Sequence, residues 1–522
     1  MFFYYGFNKL NFFNLFCEYF IGIMVIFLLV VFIVLISNIY GLLISNVAVE
    51  ILAFCLFLSG FFLLQDYYLI IQQNNLLLFN GFSNFLTFSQ IAIFSKFVLI
   101  FFSTIFLFII SKFLFDYNIT SFEYVVVLLC AIIGVIFLCC TNDFLSSFLA
   151  IELISFSSYI LTAFRKMSSF CLESAIKYLI IGALSSAFFL LGSSMIYGFT
   201  GVVTFSYLSL VFENFTFSFE NIFHFFVFYA TTNLTKQNFY YQFFLNLAIV
   251  FIVLSIFVKL ALAPFHLWSI EIYEAAPTIS TFFFSILTKL SFFIFLYKFC
   301  FLTFYNIFNF WLFYICIAGF FSIFVGCLGG IKQKKLKTLL AYSSISHMGY
   351  LILTFANFSK LGFEIFFFYI ICYIISNIVV WYIILALKKI TPFFNNKLSK
   401  NLGDFVLISK SHSFLALSLT LAFFSLAGIP PLIGFLVKFN VFLLLAVEKF
   451  YILSIFLLLC SILSTFYYIR VVKILYFENA LTGSLYYFNT KNIILLNLCL
   501  FLLIFLFFNP TLLYLIIHNI FF

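Results

Sequence analysis

The sequence predicts an all-α polytopic membrane protein of about 14 transmembrane helices, with two inverted five-helix repeats that each contain a broken helix. Three observations carry that expectation. Hydrophobic residues fill 66% of the 522 positions and charged residues only 8%, a balance that no water-facing surface tolerates. Apolar runs of about 18 residues or more recur from end to end. Two of them are interrupted by proline at a depth where lipid offers nothing to the freed backbone groups. No interval between the runs is long enough for a water-soluble domain, so one membrane domain is expected. The first forty residues lack a charged leader and a small-residue cleavage site, so no removable signal is expected.

Taken in order, the expected helices span 16–37, 48–70, 91–111, 123–140, 143–163 and 172–197. A loop of about forty-five residues, 199–243, carries Glu213, Glu220 and an NLT sequon at Asn233 that reads as a chance match. A broken helix comes next at 244–273, then helices at 278–299, 305–328, 336–356 and 362–387. A second broken helix spans 413–447, and the last two spans are 450–476 and 492–518. Fifteen of the 25 Lys and Arg residues fall in loops after odd-numbered helices, including KQKKLK at 332–337. Six fall on the other side, and Lys177, Lys259, Lys289 and Lys438 lie within helices. The positive-inside rule then puts both termini outside. The net charge of +9 reflects topology and anionic headgroups, and no nucleic-acid partner is implied. Twelve cysteines without C-x-x-C spacing read as small buried hydrophobes, and offer no metal site. The 91 phenylalanines suggest an A+T-rich genome, as in many organelles.

The chain is organised around KLALAPFHLWSIEIYEAAPTISTFFFSILTK, Lys259 to Lys289. Lys259 lies sixteen residues into an apolar run, Pro264 breaks the helix five residues later, and His266 comes directly after Phe265. Lys289 sits eleven residues into the next run. At about 1.5 Å per residue both ammonium groups lie deep in the hydrocarbon. A lysine there is costly, and its default reading is an ion pathway or proton relay. Glu152, in FLAIELISF, is the one acid in the body of its helix. It is expected to be neutral or paired with a lysine, with a purely structural pair as the competing reading. Lys438 lies seven residues after Pro431 inside the second broken helix. His266 and His347 could bridge lysines through water, or serve as satisfied core histidines. Lys177 stands at i+4 from Glu173, which fits a plain helix pair. KQKKLK reads as a solvated loop near lipid phosphates.

An internal repeat supports the ion-path reading. SFSSYIL at 155–161 resembles SSISHMGYLIL at 343–353, aligning Tyr159 with Tyr350. The break at Pro264 has its counterpart in LAGIPPLIGFLVKF, at Pro430 and Pro431. Helices five to seven thus echo helices ten to twelve, and the odd offset inverts the second unit in the bilayer. Inverted repeats with discontinuous helices are a transporter architecture. The expected division is 1–122 as three N-terminal helices, 123–304 as the first repeat, 305–478 as the second and 479–522 as the last helix.

Five segments, AIELISFSSYIL, ESAIKYLIIGALSSAFFLLG, KLALAPFHLWSIEIYEAAPTISTF, LKTLLAYSSISHMGYLIL and SLAGIPPLIGFLVKF, are similar to the subunit 2 family of respiratory complex I, the proton-pumping NADH:ubiquinone oxidoreductase. The resemblance covers about 123 to 475. It implies a fourteen-helix antiporter-like fold, with Glu152 as the acid paired with Lys259 and Lys289 as the central proton carrier. Lys438 would be the carrier at the exit-side broken helix, and His266 and His347 fall on relay positions. Subunit 4 relatives carry a glutamate where this chain has Lys438, and subunit 5 relatives continue into a lateral helix where it stops at Phe522. No cofactor is expected in this chain: NADH, FMN, Fe–S clusters and ubiquinone would belong to partner subunits. The implied partners are antiporter-like subunits 4 and 5, the small membrane-arm subunits and structural phospholipid, in the mitochondrial inner membrane. The competing class is a stand-alone or multisubunit cation/proton antiporter, for which the same lysines and breaks would serve.

Overall fold

Inside lipid every backbone polar group needs a partner within the protein, and a helix supplies those partners from its own chain. Helices accordingly dominate. The computed structural model describes Gly22 and residues 41–72, 79–81, 85–114, 117, 121–165, 168–213, 233–305, 308–356, 359–389, 397–398, 401–406, 408–478, 486–488 and 493–521. Apart from Gly22, the helix expected at 16–37 lies outside these residues, as does 214–232 of the long loop, with Glu220. The chain divides into two compact units. The first comprises Met1–Lys166, Ala175–Lys259 and Leu287–Trp311, and the second Met167–Ser174, Leu260–Ile286 and Leu312–Phe522.

In the first unit α1 (Gly41–Gln72) packs along α2 (Gln90–Ser111). A hairpin of β1 (Phe79–Gly81) and β2 (Leu86–Phe88) lies between them in sequence, with Phe79 opposite Phe88. The Ser89 hydroxyl accepts from the Ala92 N–H at 3.2 Å and caps α2. Next, α3 (Phe122–Leu138) and α4 (Phe144–Ala163) form a helical hairpin. Their short connection is threaded between two other stretches. On one side the Thr87 N–H donates to Cys140 O and the Asn142 N–H to Phe85 O, both at 2.9 Å. On the other the Phe205 N–H donates to Asn142 O at 2.7 Å and the Phe144 N–H to Val203 O at 3.3 Å. Three segments distant in sequence thus close one end of the unit's helices with a small backbone ladder.

After α5 (Ser169–Thr200) the region expected as loop 199–243 departs from expectation. It holds α6 (Phe205–Glu213), and α7 (Asn233–Leu260) begins at the sequon asparagine, eleven residues before the expected start. Polar residues such as Lys236 and Gln237 are good helix formers, so the helix outruns the apolar stretch that marks its membrane part. The break then spans 261–266, with Ala261 at φ 58° and a cis Ala263–Pro264 bond, before α8 (Leu267–Ala275).

The expected helix 278–299 is realised as α9 (Thr278–Phe283), a π segment Phe284–Thr288, α10 (Lys289–Lys298) and a second π segment Phe299–Thr303. Every residue from Thr278 to Lys298 is buried. Further helices are α11 (Phe308–Ile331), α12 (Leu336–Leu353) and α13 (Lys360–Ala386). The second broken helix consists of α14 (Ser413–Ala427) and α15 (Ile433–Val447), with α16 (Tyr451–Tyr476) after it. In the second unit α12 and α13 are both almost wholly buried, and α13 is in contact with α14 and α15. A three-stranded sheet sits in connections read as loop: β3 (Leu387–Lys389) lies between β4 (Lys397–Leu398) and β5 (Tyr486–Phe488).

The last expected helix, 492–518, is corrected. It is two helices, α17 (Ile493–Phe508) and α18 (Thr511–Phe521), bent by 87°. Pro510 lacks an N–H and disfavours helical geometry at Asn509, so the helix ends there. Among the described residues ten helices are long and apolar enough to cross a membrane, eleven with the bent pair. Phe122–Leu138 and the two halves of the second broken helix are shorter apolar pieces. With the second broken helix counted once, the described residues hold thirteen of the fourteen expected helices.

Candidate functional site

The first unit holds three of the expected residues. Glu152 lies on α4, Lys259 in the last turn of α7 and Lys289 at the start of α10. Lys259 is 9% exposed, and its Nζ makes no hydrogen bond among the described residues. Glu152 lies within electrostatic range of it. One carboxylate oxygen of Glu152 accepts from Ser155 Oγ at 3.1 Å, while Oε1 is buried without a partner among the described residues. The acid and the lysine therefore act on each other through space, without a direct ion pair. Lys289 is 5% exposed and stands where the π segment returns to α-helical turns. A π bulge adds a residue to one turn and re-aims the side chains beyond it, a device common at functional sites.

The second unit holds the rest. His266 precedes α8, two residues after Pro264, and is half-buried, with Nδ1 enclosed and without a hydrogen bond among the described residues. At the second break Gly428 ends α14 at φ 81°, a left-handed cap suited to glycine. The Pro430–Pro431 bond is cis, and α15 returns against α14 so closely that a Cβ on Gly434 would lie 1.6 Å from Ser425 O. One turn beyond Gly434, Lys438 donates from Nζ to Ala427 O at 2.8 Å, one of the carbonyls α14 leaves unpaired at its end. The helix dipole there favours the ammonium. The Tyr350 ring lies 5.6 Å from the same Nζ.

His347 belongs to this site. It is 5% exposed, with Nδ1 2.8 Å from Tyr369 Oη and Nε2 3.3 Å from Tyr468 Oη. A cavity of about 20 Å³ is lined by His347, Tyr369, Tyr373, Ser376, Ser425 and Lys438. That volume is enough for one water with several polar neighbours, so the histidine and the lysine share a space suited to water-mediated proton exchange.

Sequence reasoning missed three things. Tyr369 and Tyr468 orient His347, and nothing in their local sequence marks them, because α13 and α16 bring them in. Two lysines of KQKKLK are not simply solvated: Lys335 pairs with Glu274, and Lys337 donates to Ala276 O at 2.7 Å, at the end of α8. Lys96 and Lys298, counted with the helix ends, are 1% and 4% exposed. Lys298 is held at the ladder by hydrogen bonds to Thr87 Oγ1 and Thr141 O.

The fold and its buried lysines define an antiporter-like helical membrane subunit. The family described as NADH:quinone oxidoreductase/Mrp antiporter, TM matches residues 141–466. The NADH-ubiquinone oxidoreductase chain 2 of Marchantia polymorpha is 34% identical over 403 residues, 77% of each chain. The NADH-quinone oxidoreductase subunit N of Pelagibacter ubique is 32% identical over 362 residues, 69% of this chain and 70% of that one. Among solved structures, a chain of the Thermus thermophilus respiratory complex I with bound aureothin is similar at TM-score 0.72 and 20% identity, covering 95% of this chain and 98% of that one. A chain of the Mrp complex from Dietzia sp. is similar at TM-score 0.74 and 16% identity, covering 98% and 97%. At those identities the two structures speak for the fold alone. The chain belongs to the NADH-ubiquinone oxidoreductase chain 2 / NADH-quinone oxidoreductase subunit N family.

Proposed function

We propose that this chain is a proton-translocating, antiporter-like subunit of respiratory complex I, the translocase that couples NADH:ubiquinone electron transfer to proton movement. The observation that carries the reading is Lys438 at the second helix break, bound to one neutral carbonyl and sharing a water-sized cavity with His347. An ammonium held this way can release and regain a proton without breaking an ion pair. Glu152, Lys259, Lys289 and Lys438 are the proton-transfer residues, and His266 and His347 relay between them. A charge change at Glu152 alters its hold on Lys259, which shifts the proton affinity at Lys289. Lys289 then exchanges with Lys438, which releases to the positive side. Pro264, Pro430 and Pro431 are the breaks that free backbone groups along this path.

The first repeat is 123–304 and the second, inverted one 305–478, flanked by helices at 1–122 and 479–522. In support, each described break puts a residue of positive φ, Ala261 or Gly428, at the end of an apolar helix, with a buried or half-buried lysine close by. NADH, FMN, Fe–S clusters and ubiquinone act in partner subunits. Subunits 4 and 5 and the small membrane subunits are its neighbours, with phospholipid filling its exposed apolar faces. The phenylalanine bias supports the mitochondrial inner membrane. A cation/proton antiporter is the second reading, favoured by the Mrp wording of the family description and by the Dietzia neighbour.

Native electrophoresis of solubilised membranes with NADH-oxidation staining and mass spectrometry tests the assignment. The chain is expected in a large NADH-active band, and migration apart from it gives the antiporter reading the field. Within such a complex Lys289→Met should lower pumping and, through coupling, NADH oxidation. Normal pumping in the assembled variant would refute the mechanism.

A further inference from the structure

A second group of buried charges lies in the first unit, away from the lysines just described. Lys298 ends α10, nine residues after Lys289 and so about 13 Å further along the axis. Its ammonium donates to Thr87 Oγ1 and to Thr141 O, both at 2.5 Å and both neutral. Asp143, the residue before α4, is 5% exposed and lies within electrostatic range of Lys298 without forming a direct ion pair. Its Oδ1 is buried and has no hydrogen-bond partner among the described residues. Thr204, opposite Asp143 across the ladder, carries a second buried oxygen without a partner. Lys96, from α2, is another charged group in electrostatic range, and the thiols of Cys139 and Cys140 also face Lys298.

We infer that Asp143 and Lys298 form a second proton-exchange site, beneath the backbone ladder that closes one end of the first unit. The two hydrogen bonds of Lys298 go to neutral oxygens, so its ammonium can give up a proton without breaking an ion pair. In the exchange, one N–H bond of the Lys298 ammonium breaks and an O–H bond forms on Asp143 Oδ1, leaving a neutral amine and a neutral acid. Asp143 then passes its proton to solvent water beside the partly exposed Ser146, and the neutral Lys298 amine takes one proton, relayed from the Lys289 ammonium on the same helix, where one N–H bond breaks. Burial pushes the Asp143 carboxyl up to about 6, against the opposing pull of Lys298, so its occupancy changes near neutral pH. By the charge bias of the loops this end faces outside, the side on which a pump releases protons. The competing account is a clamp: Lys298 ties α10 to the ladder and exchanges nothing.

The inference rests on the pump reading, and the experiment separates the two. Infrared difference spectra of the purified complex are recorded on either side of pH about 6 for wild type, Asp143→Asn, Lys298→Met and Lys298→Arg, with assembly checked by the NADH-stained band. Asparagine caps helices as well as aspartate does, so Asp143→Asn should assemble. The expected result is a protonated-carboxyl band that titrates in wild type and is lost in Asp143→Asn. Lys298→Met should move its midpoint to higher pH by removing the cation, while Lys298→Arg, which keeps charge and donors but holds its proton, leaves the midpoint in place. Both Asp143→Asn and Lys298→Arg should move fewer protons per NADH oxidised. No titrating band, or a full proton yield in both variants, overturns the inference. Lys289→Met in the same membranes is the control. If it lowers pumping while the Asp143 and Lys298 variants do not, this site fails alone, and if it pumps normally the pump reading has failed.

Discussion

Gly434→Ala is the sharpest test of how the second break sets the lysine. A Cβ at this position would lie 1.6 Å from Ser425 O, a backbone atom that no rotamer change can remove. To reach even a tight 3.0 Å contact, α15 must retreat from α14 by roughly 1.4 Å. Lys438, one turn further on the same face, moves with it. A hydrogen bond of 2.8 Å to Ala427 O stretched by that amount no longer exists. Overpacking of this kind costs about 1–3 kcal/mol, a tolerable loss for a chain embedded in a complex. Misplacing a reacting group by about 1 Å can cost on the order of 100-fold in rate. The variant should therefore assemble and lose most of its proton transfer. Quenching of a pH-sensitive dye in vesicles, normalised to the NADH-stained band, reads the effect. Gly198→Ala, where nothing lies within 4 Å of the added carbon, is the matched control and should be neutral. Full pumping by assembled Gly434→Ala would refute the claim that helix contact at the break fixes Lys438.

Other predictions concern single groups. Glu152→Gln removes the carboxylate within electrostatic range of Lys259 and should slow pumping without blocking assembly, as read by dye quenching normalised to the NADH-stained band. Glu274→Gln removes the partner of Lys335, which is half exposed, and should change thermal stability by no more than about 1 kcal/mol, less at high salt. The Asp143 carboxyl, raised from 3.8 to about 6, binds its proton more tightly folded than unfolded. Stability from this group is therefore present in acid and lost as pH rises from about 4 to about 6, and thermal melts of Asp143→Asn should lack that slope.

Much of this was legible in the chain itself, because lipid is an unforgiving solvent. Nearly every described span corresponds to an uninterrupted apolar run, and Lys259, Lys289 and Lys438 stand out against theirs, whereas the buried Lys96 and Lys298 lie too near the ends of theirs to do so. Where polarity changes nothing, the sequence is silent. The extension of α7 back to Asn233 and the helix α6 lie in water-compatible sequence, where helix and loop have similar composition. The bend at Pro510 was written in an Asn-Pro step, but hydropathy averages over it.

By itself, the sequence determined that the chain crosses a membrane many times, where its two main breaks fall, and that Lys259, Lys289 and Lys438 lie within apolar helices. Those facts depend on local composition and on the cost of an ion or a free backbone group in hydrocarbon. Only the tertiary structure decided what each charge meets. Tyr369 and Tyr468 reach His347 from helices 22 and 121 residues away in sequence. Lys298 meets Thr87 across 211 residues, under a ladder assembled from three distant segments. Such partners are chosen by packing between helices, and an apolar stripe fixes that a helix is buried without fixing which neighbour it touches.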